Sequence, residues 1–490
     1  VLQNTGAPGG TISVRIRGTN SVQGSNEPLY VVDGFPMTVS NPTLINNSDI
    51  ESIEILKDAS ATAIYGSRGA NGVILITTRQ GRSGKTKVEF ESNVGIQTLR
   101  KKMDLMNATE YAQFYNEVAK NEGWSIPFTQ EEVSSLGKGF DWQDFVFSEA
   151  ILHNHNITVS GGNEKTQFSI SGSMFNQDGI IRGSGYDRYS FRTNVNHEIS
   201  KKLTISSNVI LTKIKRDNQN SSGGGRGNTL IASIVAAFPT VEPYNEDGSI
   251  RDLTTIYPYA TQVINPAYFF SETTNTVKSN KVLANLSLAY KPISDLTIRI
   301  LGGIENSDDR TDYYVTLKYL NSQGTASVNT SQYTSLLNEN TVTYAKKIGK
   351  HSLSAVSGFT FQNFLSTSLS GSGSGYLSDV LESHNLGSAA FPGIPGSDYS
   401  LSVLLSALGR VNYSYNEKYL FTINFRADGS SKYSKGNKWG YFPSGALAWR
   451  ISNEDFLKDV KFLSNLKLRA GWGETGSQAI DAYATLNNLS

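Results

Sequence analysis

The sequence predicts a mainly β fold, in which a transmembrane antiparallel β-barrel follows a small α+β domain at the N-terminus. Three observations support this prediction. Apolar residues make up 38% and charged residues 18% of the chain, while Gly (45), Tyr (24) and Phe (22) are abundant, and this mixture favours strands and turns. Apolar and polar residues alternate through much of the chain. The longest nearly apolar run, residues 230–238, is far shorter than the roughly 20 residues of a membrane-spanning helix.

Charge and cysteine content exclude several classes of function. The formal net charge of +1 provides no global field that would attract nucleic acid. The chain has no cysteine, which excludes disulfide scaffolds, cysteine metal sites and thiol catalysis and is compatible with export. Residues 1–10 lack an initiating Met, a charged segment and an apolar segment. We therefore expect an internal fragment whose export signal would lie upstream.

The first 79 residues differ from the rest of the chain. Short β-rich runs end at Gly, Asn or Asp or lead into a turn, as strands do, at residues 13–18, 28–34, 50–56 and 72–78. Two of these runs are apolar at consecutive positions, so both of their faces should be covered. Residues 1–79 are therefore predicted to form a compact domain. The Gly-rich basic residues 80–86 are predicted to be a linker.

Residues 87–490 are predicted to form long hairpins. In the first of about a dozen predicted strands, Val88, Phe90, Val94 and Ile96 share one face and polar residues share the other. Many predicted strands have about ten residues, the length that a tilted strand needs to cross a bilayer. Tight turns alternate with long polar insertions at residues 99–147, 215–281 and 366–402. This asymmetry is typical of outer-membrane barrels, although a soluble sandwich or solenoid also has alternating strands, which are shorter and hide an apolar face.

Several long motifs carry a resemblance to a known family. "SVRIRGTNSVQGSNEPLYVVDGFP" and "DIESIEILKDASATAIYGSRGANGVILITTRQG" resemble the second half of the plug domain of SusC/RagA-family TonB-dependent outer-membrane transporters. "HNHNITVSGGNEKTQFSISGSMFNQDGII" and "KYLFTINFRADGSSKYSKGNKWGYFPSGALAWRIS" are similar to barrel segments of that family. The resemblance covers nearly the whole chain in the order of the family.

The resemblance also implies which parts are missing. The family's signal peptide, preceding small β-sandwich domain, TonB-contacting segment and first half of the plug are expected to lie outside this chain. The chain is expected to stop before the strands that would close a 22-stranded barrel. An open barrel edge in lipid would leave backbone groups unsatisfied, so such a fragment alone should not be stable as a transporter.

The resemblance marks a set of plug-motif residues. They are Arg15, Arg17, Gly18, Asp33, Gly34, Lys57, Asp58, Tyr65, Gly66, Arg68, Gly69, Asn71 and Gly72. In this domain, residues 54–58 and 73–77 are expected to be central strands covered on both faces. Asp58 is expected to cap a helix from Ala59 to Tyr65, and the three glycines from Gly66 to Gly72 would turn the chain back into a strand.

The plug arginines allow two interpretations. Arg15 and Arg17 alternate with apolar residues and share one face of a strand. Together with Lys57 and Arg68 they would pair with lumen carboxylates and hold the plug in place until force is applied. Alternatively, they form exposed ion pairs of little energetic worth.

No catalytic, cofactor-binding or metal-binding residue is predicted, and the protein is not expected to be an enzyme. "GSRGANG" lacks the Lys-Ser/Thr of a phosphate-binding loop and precedes a strand, so a turn in the plug is favoured over a nucleotide site. His153 and His155 share a strand face, but no carboxylate lies at close spacing. Catalytic motifs with recognisable spacing are absent from the sequence.

Two further patterns have alternative roles. Capping signals at Asn107 with Glu110 and at Thr129 predict helices in a long loop, which would either pack on the loop itself or contact a partner lid. Aromatic residues at strand ends would form an interfacial girdle or stack on sugar rings, at Tyr413, Tyr415, Tyr419, Trp439, Tyr441 and Trp449.

The resemblance implies TonB-dependent import of a large nutrient, most often an oligosaccharide and sometimes a peptide, at the cell outer membrane. The expected partners are the TonB–ExbB–ExbD complex, acting through a segment outside this chain, a SusD-like surface lipoprotein as lid, and membrane lipid. The rival hypotheses are a lidless receptor for a metal chelate, a non-transporting adhesin or glycan-binding β-protein, and, more remotely, a hydrolase. The substrate and the residues that contact it are not predicted.

Overall fold

A computed structural model describes a β-rich chain with two main sheets. It describes residues 2–3, 6–10, 12–16, 18, 25–37, 44–221, 229–257, 262–457, 462–478 and 480–485. A four-stranded sheet lies near the N-terminus, and a 14-stranded sheet contains the later strands. Residues up to Thr78 are called the N-terminal unit below, and the 14-stranded sheet is called the wall.

The N-terminal unit is a small mixed sheet with a short pair of strands before it. The pair is β1 (Leu2–Gln3) with β2 (Ile12–Ser13), and the sheet contains β3 (Leu29–Val32), β4 (Phe35–Pro36), β5 (Ile50–Leu56) and β6 (Val73–Thr78). The order is β4-β3-β6-β5, with β3 parallel to β6. β3 is buried throughout and β6 is largely buried, as their consecutive apolar residues predict.

Two details of this unit differ from the sequence prediction. β5 is an edge strand rather than a central one, because only β6 pairs with it. Its Ile53 and Ile55 are exposed, so this face of the strand is not covered as predicted. The predicted helix is a single turn, α1 (Ala59–Thr62), followed by a 3-10 segment, Ala63–Arg68. Gly66 interrupts this segment with φ 55° and ψ −126°. The carbonyl of Asp58 accepts the N–H groups of Ala61 and Thr62 at the helix start.

The wall is a meander of antiparallel strands in chain order. Its strands are β7 (Gly84–Gln97), β8 (Ala150–Gly162), β9 (Thr166–Asp178), β10 (Gly185–Ser200), β11 (Leu203–Asp217), β12 (Thr273–Ile293), β13 (Leu296–Val315), β14 (Thr325–Ile348), β15 (His351–Ser374), β16 (Phe391–Pro392), β17 (Gly396–Tyr415), β18 (Tyr419–Ser430), β19 (Trp439–Arg450) and β20 (Lys467–Gly473). The two-residue β16 pairs beside β15. Within the described residues, β7 and β20 each have one neighbouring strand.

Most strands of the wall are longer than the roughly ten residues expected for crossing a bilayer. β12 to β15 have between 20 and 24 residues each. β12 and β15 continue into segments that were predicted to be polar insertions. The long connections between strands are residues 98–149, 218–272 and 375–395. Tight turns at residues 201–202, 294–295 and 349–350 lie at the other end of the wall. The predicted asymmetry between short turns and long loops is therefore present.

The two faces of the wall have inverted polarity compared with a soluble protein. Val88, Phe90, Val94 and Ile96 are each at least 64% exposed. On the opposite face, Arg192, Gln362 and Ser335 are at most 1% exposed. A soluble sandwich would hide the apolar face and expose the polar one. The arrangement agrees with a barrel that presents apolar residues to lipid and polar residues to its lumen.

The long loops fold together beyond the wall. Their helices are α2 (Ala108–Glu122), α3 (Gln130–Ser135), α4 (Trp142–Val146), α5 (Leu230–Ala236) and α6 (Ala267–Ser271). The two predicted capping signals are confirmed as capping boxes that start α2 and α3. Tyr115, Trp142, Leu230, Phe238 and Tyr257 share one buried cluster, so these helices pack within the loops. Among the described residues no helix is long and apolar enough to span a membrane.

The exposed apolar face leads to a test of its contact with lipid. Ile423 lies in the middle of β18 and is 67% exposed, so Ile423→Arg should place a charge near the bilayer midplane. We expect a loss of about 2–4 kcal/mol in the free energy of unfolding from lipid vesicles. The measurement is a urea titration followed by heat-modifiable gel migration.

The matched control is Ile348→Arg. Ile348 is similarly exposed but lies at the end of β14, beside a tight turn, where an interfacial arginine costs about 0–1 kcal/mol. Equal losses for the two variants would contradict the assignment of this face to lipid.

Candidate functional site: the contact between the N-terminal unit and the wall

The N-terminal unit lies against the polar face of the wall and has one apolar contact with it. Tyr30, Val32, Phe35, Ile74 and Ile76 pack in the same buried cluster as side chains of four wall strands, Ile210, Leu283, Leu301 and Leu337. The ring of Phe35 lies against the backbone of β13, where a Cβ on Gly303 would come within 2.7 Å of it. This close approach requires glycine at position 303.

A buried arginine of the wall makes the first polar junction. Arg192 of β10 is 1% exposed and donates from Nη1 to Thr78 Oγ1 (3.1 Å) and from Nη2 to the carbonyl of Arg79 (2.7 Å). Its Nε lies 3.4 Å from Asp49 Oδ1, and Ser171 of β9 donates to the same oxygen (2.5 Å). The guanidinium therefore bonds the end of β6 to β9 and β10.

Asp33 makes the second junction from a tight turn between β3 and β4. Its Oδ1 accepts the N–H of Thr78 (2.9 Å), and its Oδ2 accepts the hydroxyl of Thr78 (2.7 Å) and Nδ2 of Asn208 in β11 (2.8 Å). Asp33 has a φ of 48°, a conformation that Asp adopts more easily than most residues. One carboxylate thus joins two strands of the unit to the wall.

The third junction surrounds Gly66. Asp428 Oδ2 in β18 accepts the N–H (2.8 Å) and the hydroxyl (2.6 Å) of Ser67. Asp428 Oδ1 accepts Nε of Arg426 (2.6 Å), whose Nη1 donates to the carbonyl of Ile64 (2.6 Å). A Cβ on Gly66 would lie 2.3 Å from Asp428 Oδ2. The positive φ of Gly66 and this close contact both require glycine.

Two further contacts flank the Gly66 junction. Arg68 Nη1 donates to Oε1 of Gln362 in β15 (2.6 Å). Burial, reinforced by the nearby positive charge of Arg426, lowers the pKa of Arg68 to about 10. Asp58 Oδ2 lies 3.5 Å from Nη1 of Arg469 in β20. The segment of α1 and the 3-10 turn is therefore joined to strands at both ends of the later half of the wall.

The structure brings some of the predicted motif residues to the wall. Asp33, Asp58 and Arg68 bond to it, Gly66 lies against Asp428, and Gly34 (φ 87°) lies beside Arg299. The aromatic ring of Tyr65 packs on Leu29, Val31 and Val73 inside the unit, and burial raises its pKa.

The remaining motif residues contact the unit itself or are exposed. Arg15 pairs with Glu27, and Asn71 Nδ2 donates to the carbonyl of Ser25 (2.8 Å). A Cβ added at Gly69 would lie 2.6 Å from the carbonyl oxygen of Thr62, and a Cβ added at Gly72 would lie 2.8 Å from the side chain of Ile16. Gly18 has a φ of 98°, the side chain of Lys57 is exposed, and Arg17 lies outside the described residues.

For Arg15 and Arg68, these positions disagree with the hypothesis that plug cations pair with lumen carboxylates, and for Arg17 and Lys57 the hypothesis stays a prediction. Arg15 bonds to a carboxylate of its own unit, and Arg68 bonds to a neutral amide. The charges at the junctions are mostly distributed the other way, with arginines on the wall at positions 192, 426 and 469. The sequence signal for this distribution is the alternation of Asn424, Arg426 and Asp428, which share the inward face of β18.

A cavity of about 690 Å³ lies between the N-terminal unit and the long-loop end of the wall. Glu27 and Arg68 of the unit line it, together with Phe364, Tyr399 and Lys432 from wall strands and loops. No ligand-contacting residue was predicted from the sequence. Because β15, β17 and the loop after β18 come together only in the folded wall, no local motif could have revealed this cavity.

Two other candidate sites from the sequence were the histidine pair on β8 and the Gly-rich segment before β6. The rings of His153 and His155 stack with centroids 5.9 Å apart, and His155 Nδ1 lies 2.9 Å from Ser92 Oγ. The described residues contain no group of three or more His, Cys, Asp or Glu that could hold a metal ion. Residues 66–72, "GSRGANG", lead directly into β6, as a turn in the unit would.

Known proteins resemble the chain over nearly its whole length. The TonB-dependent Receptor Plug Domain family matches residues 1–73. TonB-dependent receptor P3 of Formosa agariphila is 35% identical over 99% of this chain and 47% of its own length. TonB-dependent receptor SusC of Bacteroides thetaiotaomicron is 32% identical over 99% of this chain and 50% of its own length. The chain thus spans about half the length of the curated relatives it matches.

Solved structures agree with these relatives. The RagAB peptide transporter matches 98% of this chain and 57% of its own with a TM-score of 0.87 and 25% identity. The ferric citrate transporter FecA matches 94% of this chain and 56% of its own with a TM-score of 0.56, and its 12% identity indicates a shared fold alone. The fold is therefore that of a plugged TonB-dependent barrel, and the relatives are receptors and transporters rather than enzymes, as predicted. The chain resembles the SusC/RagA-type TonB-dependent receptors in sequence and in fold, and residues 1–73 of its N-terminal part match the plug-domain family.

Proposed function

We propose that this protein imports a large nutrient, an oligosaccharide or a peptide, across the outer membrane. The energy comes from the TonB–ExbB–ExbD complex, and a SusD-like surface lipoprotein acts as the lid. One observation carries the proposal: the plug is held to the inner face of the wall by separate polar junctions at Arg192, Asp33 and Asp428. A domain held in this way blocks a lumen and can still be moved.

The relatives support both nutrient classes. SusC is among the curated relatives, and RagAB is a peptide importer with structures in closed and open states. Because the chain spans about half of these proteins, their activities and partners are extended to it here as part of the proposal. We also propose that residues 1–79 act as the plug and 87–490 as barrel, and that the linker predicted at residues 80–86 is limited to residues 80–83, because β7 of the wall begins at Gly84.

The polar junctions favour a plug that rearranges stepwise under force. A hydrogen bond between protein groups contributes only about 0.5–1.5 kcal/mol, because water replaces the partner once the groups separate. Water cannot replace the contacts of the apolar cluster around Phe35 and Leu301 in this way, because exposing apolar surface to water is unfavourable. Force on the plug should therefore open the junctions at Asp428 and Gln362 before it disrupts the cluster on β11 to β14.

The first prediction concerns the partner. A tagged full-length protein, extracted from the outer membrane in mild detergent, should elute with a stoichiometric surface lipoprotein that mass spectrometry identifies. Bound oligosaccharide or peptide in the same fraction would identify the substrate class. A barrel that elutes alone would contradict the lid and favour the lidless receptor for a metal chelate, for which iron-chelate uptake is the next assay.

The second prediction concerns the Gly66 junction. Asp428→Asn leaves the buried Arg426 without its carboxylate, a change that costs about 3–5 kcal/mol in buried ion pairs. We expect hydrogen exchange of residues 59–72 to become at least tenfold faster, while exchange in β3 and β6 stays unchanged. Asp247→Asn, in an exposed loop turn, is the control. Unchanged exchange in a folded Asp428→Asn barrel would refute the role of this junction.

The third prediction tests the close contact at Gly66. Gly66→Ala would place a methyl group 2.3 Å from Asp428 Oδ2 in addition to the cost of its positive φ. Gly436→Ala has a similarly positive φ of 95° but no atom within 4 Å of the new Cβ. We expect only Gly66→Ala to make the plug sensitive to added protease in detergent. Equal sensitivity of the two variants would mean that backbone strain alone decides the result.

A further inference from the structure

The cavity above the plug lies where an incoming solute would first meet the plug. Its wall side is formed by the long-loop halves of β14, β15 and β17 and by the loop after β18. Its plug side includes Arg68, which also bonds to Gln362 of β15. The cavity volume of about 690 Å³ falls in the range of ligand pockets, about 300–1,000 Å³.

Among the described residues, two cations that line this cavity donate hydrogen bonds only to neutral groups. Arg68 donates from Nη1 to the side-chain oxygen of Gln362, and its buried Nε has no hydrogen-bond partner among the described residues. Lys432 donates from Nζ to the carbonyl of Ile480 (2.9 Å). Within the described part of the chain, neither cation has a carboxylate within 4 Å. A buried charge without a counterion is costly, and burial lowers the pKa of both groups.

The acidic residues of the cavity do not neutralise these cations. Glu27 is occupied by Arg15, which hydrogen-bonds to its carboxylate and holds the pKa of Glu27 below its usual value. Asp398 and Asp481 are exposed to solvent. Asp481 acts on Lys432 only through space, because no ion pair joins them among the described residues. Asp428 and Glu339 also act on Arg68 through space, but they pair with Arg426 and Arg299. Arg68 and Lys432 are therefore cavity cations without an ion-pair partner among the described residues.

We propose that this cavity binds an oxyanion of the transported ligand, a carboxylate, sulfate ester or phosphate, through Arg68 and Lys432. Guanidinium and ammonium groups form their strongest hydrogen bonds with such oxyanions. Phe364 and Tyr399 line the same cavity and would cover the apolar face of a sugar ring or side chain. The substrate class is thus an acidic one, and this inference rests on the proposed import function.

Binding at Arg68 would also reach the contact between plug and wall. Gln362 accepts a hydrogen bond from Arg68 through its Oε1. Its Nε2 donates to Ser335 Oγ (2.9 Å) and to the carbonyl of Pro36 (3.4 Å). An oxyanion at Arg68 competes with the amide of Gln362 for the same donors. Occupancy of the cavity therefore weakens one bond that holds the plug to β15.

The experiment is isothermal titration of the full-length protein, in mild detergent, with sodium sulfate at constant ionic strength set by chloride. We expect saturable binding to the wild type. Arg68→Gln and Lys432→Gln should each weaken it about tenfold or more, the loss expected for one charge-assisted hydrogen bond. Lys318→Gln, which removes an exposed loop lysine outside the cavity, should bind as the wild type does.

Two results would overturn the proposal. One is the absence of saturable sulfate binding to the wild type, and the other is unchanged binding by both cavity variants. Lys432→Gln keeps the test valid if Arg68→Gln disturbs the plug, because Lys432 lies in a loop outside it. Displacement of sulfate by trigalacturonate or by acetyl-trialanine then distinguishes an acidic sugar from a peptide carboxylate. The titration needs neither TonB nor a lid, so a failure of import leaves its result intact.

Discussion

The polar inner face of the wall is the constraint on which the rest of the structure depends. A barrel in lipid turns its apolar side chains outward, so arginines, asparagines and serines project inward and must find hydrogen-bond partners there. Arg192 and Gln362 are almost fully buried and find theirs in the plug. The N-terminal unit therefore supplies hydrogen-bond partners that these wall residues lack in their own sheet, and the two parts stabilise each other.

Much of the architecture could be predicted from local pattern, because alternation and turns act over a few residues. The hairpins, the capping boxes of α2 and α3 and the buried strand β6 follow from neighbouring residues alone. The edge position of β5 could not be predicted, because it depends on which strand pairs with β6. The length of the strands was underestimated, because the polar residues at the ends of long strands have the same composition as loop residues.

The bonding partners of the side chains at the site could not be predicted from local sequence patterns, for a physical reason. Arg15 and Arg68 belong to one motif, yet Arg15 bonds to Glu27, 12 residues along the chain, and Arg68 bonds to Gln362, 294 residues away. Which inward arginine of the wall meets which acid of the plug depends on register across several strands. The sequence shows only that all of them are polar, and the resemblance to a family supplied no partner for any of them.

The height of the strands has a consequence for where a solute is selected. β14 and β15 have 24 residues each, about 80 Å at about 3.3 Å per residue, or roughly 55 Å when tilted by about 45°. The hydrocarbon core is only about 30 Å thick. On β13 the outward residues change from Ile298, Ile300 and Ile304 to Asn306, Asp308 and Arg310, which marks the membrane surface on the strand. The upper parts of these strands therefore stand above the apolar band, so under the import proposed above a solute would meet the protein in water before it reached the level of the lipid.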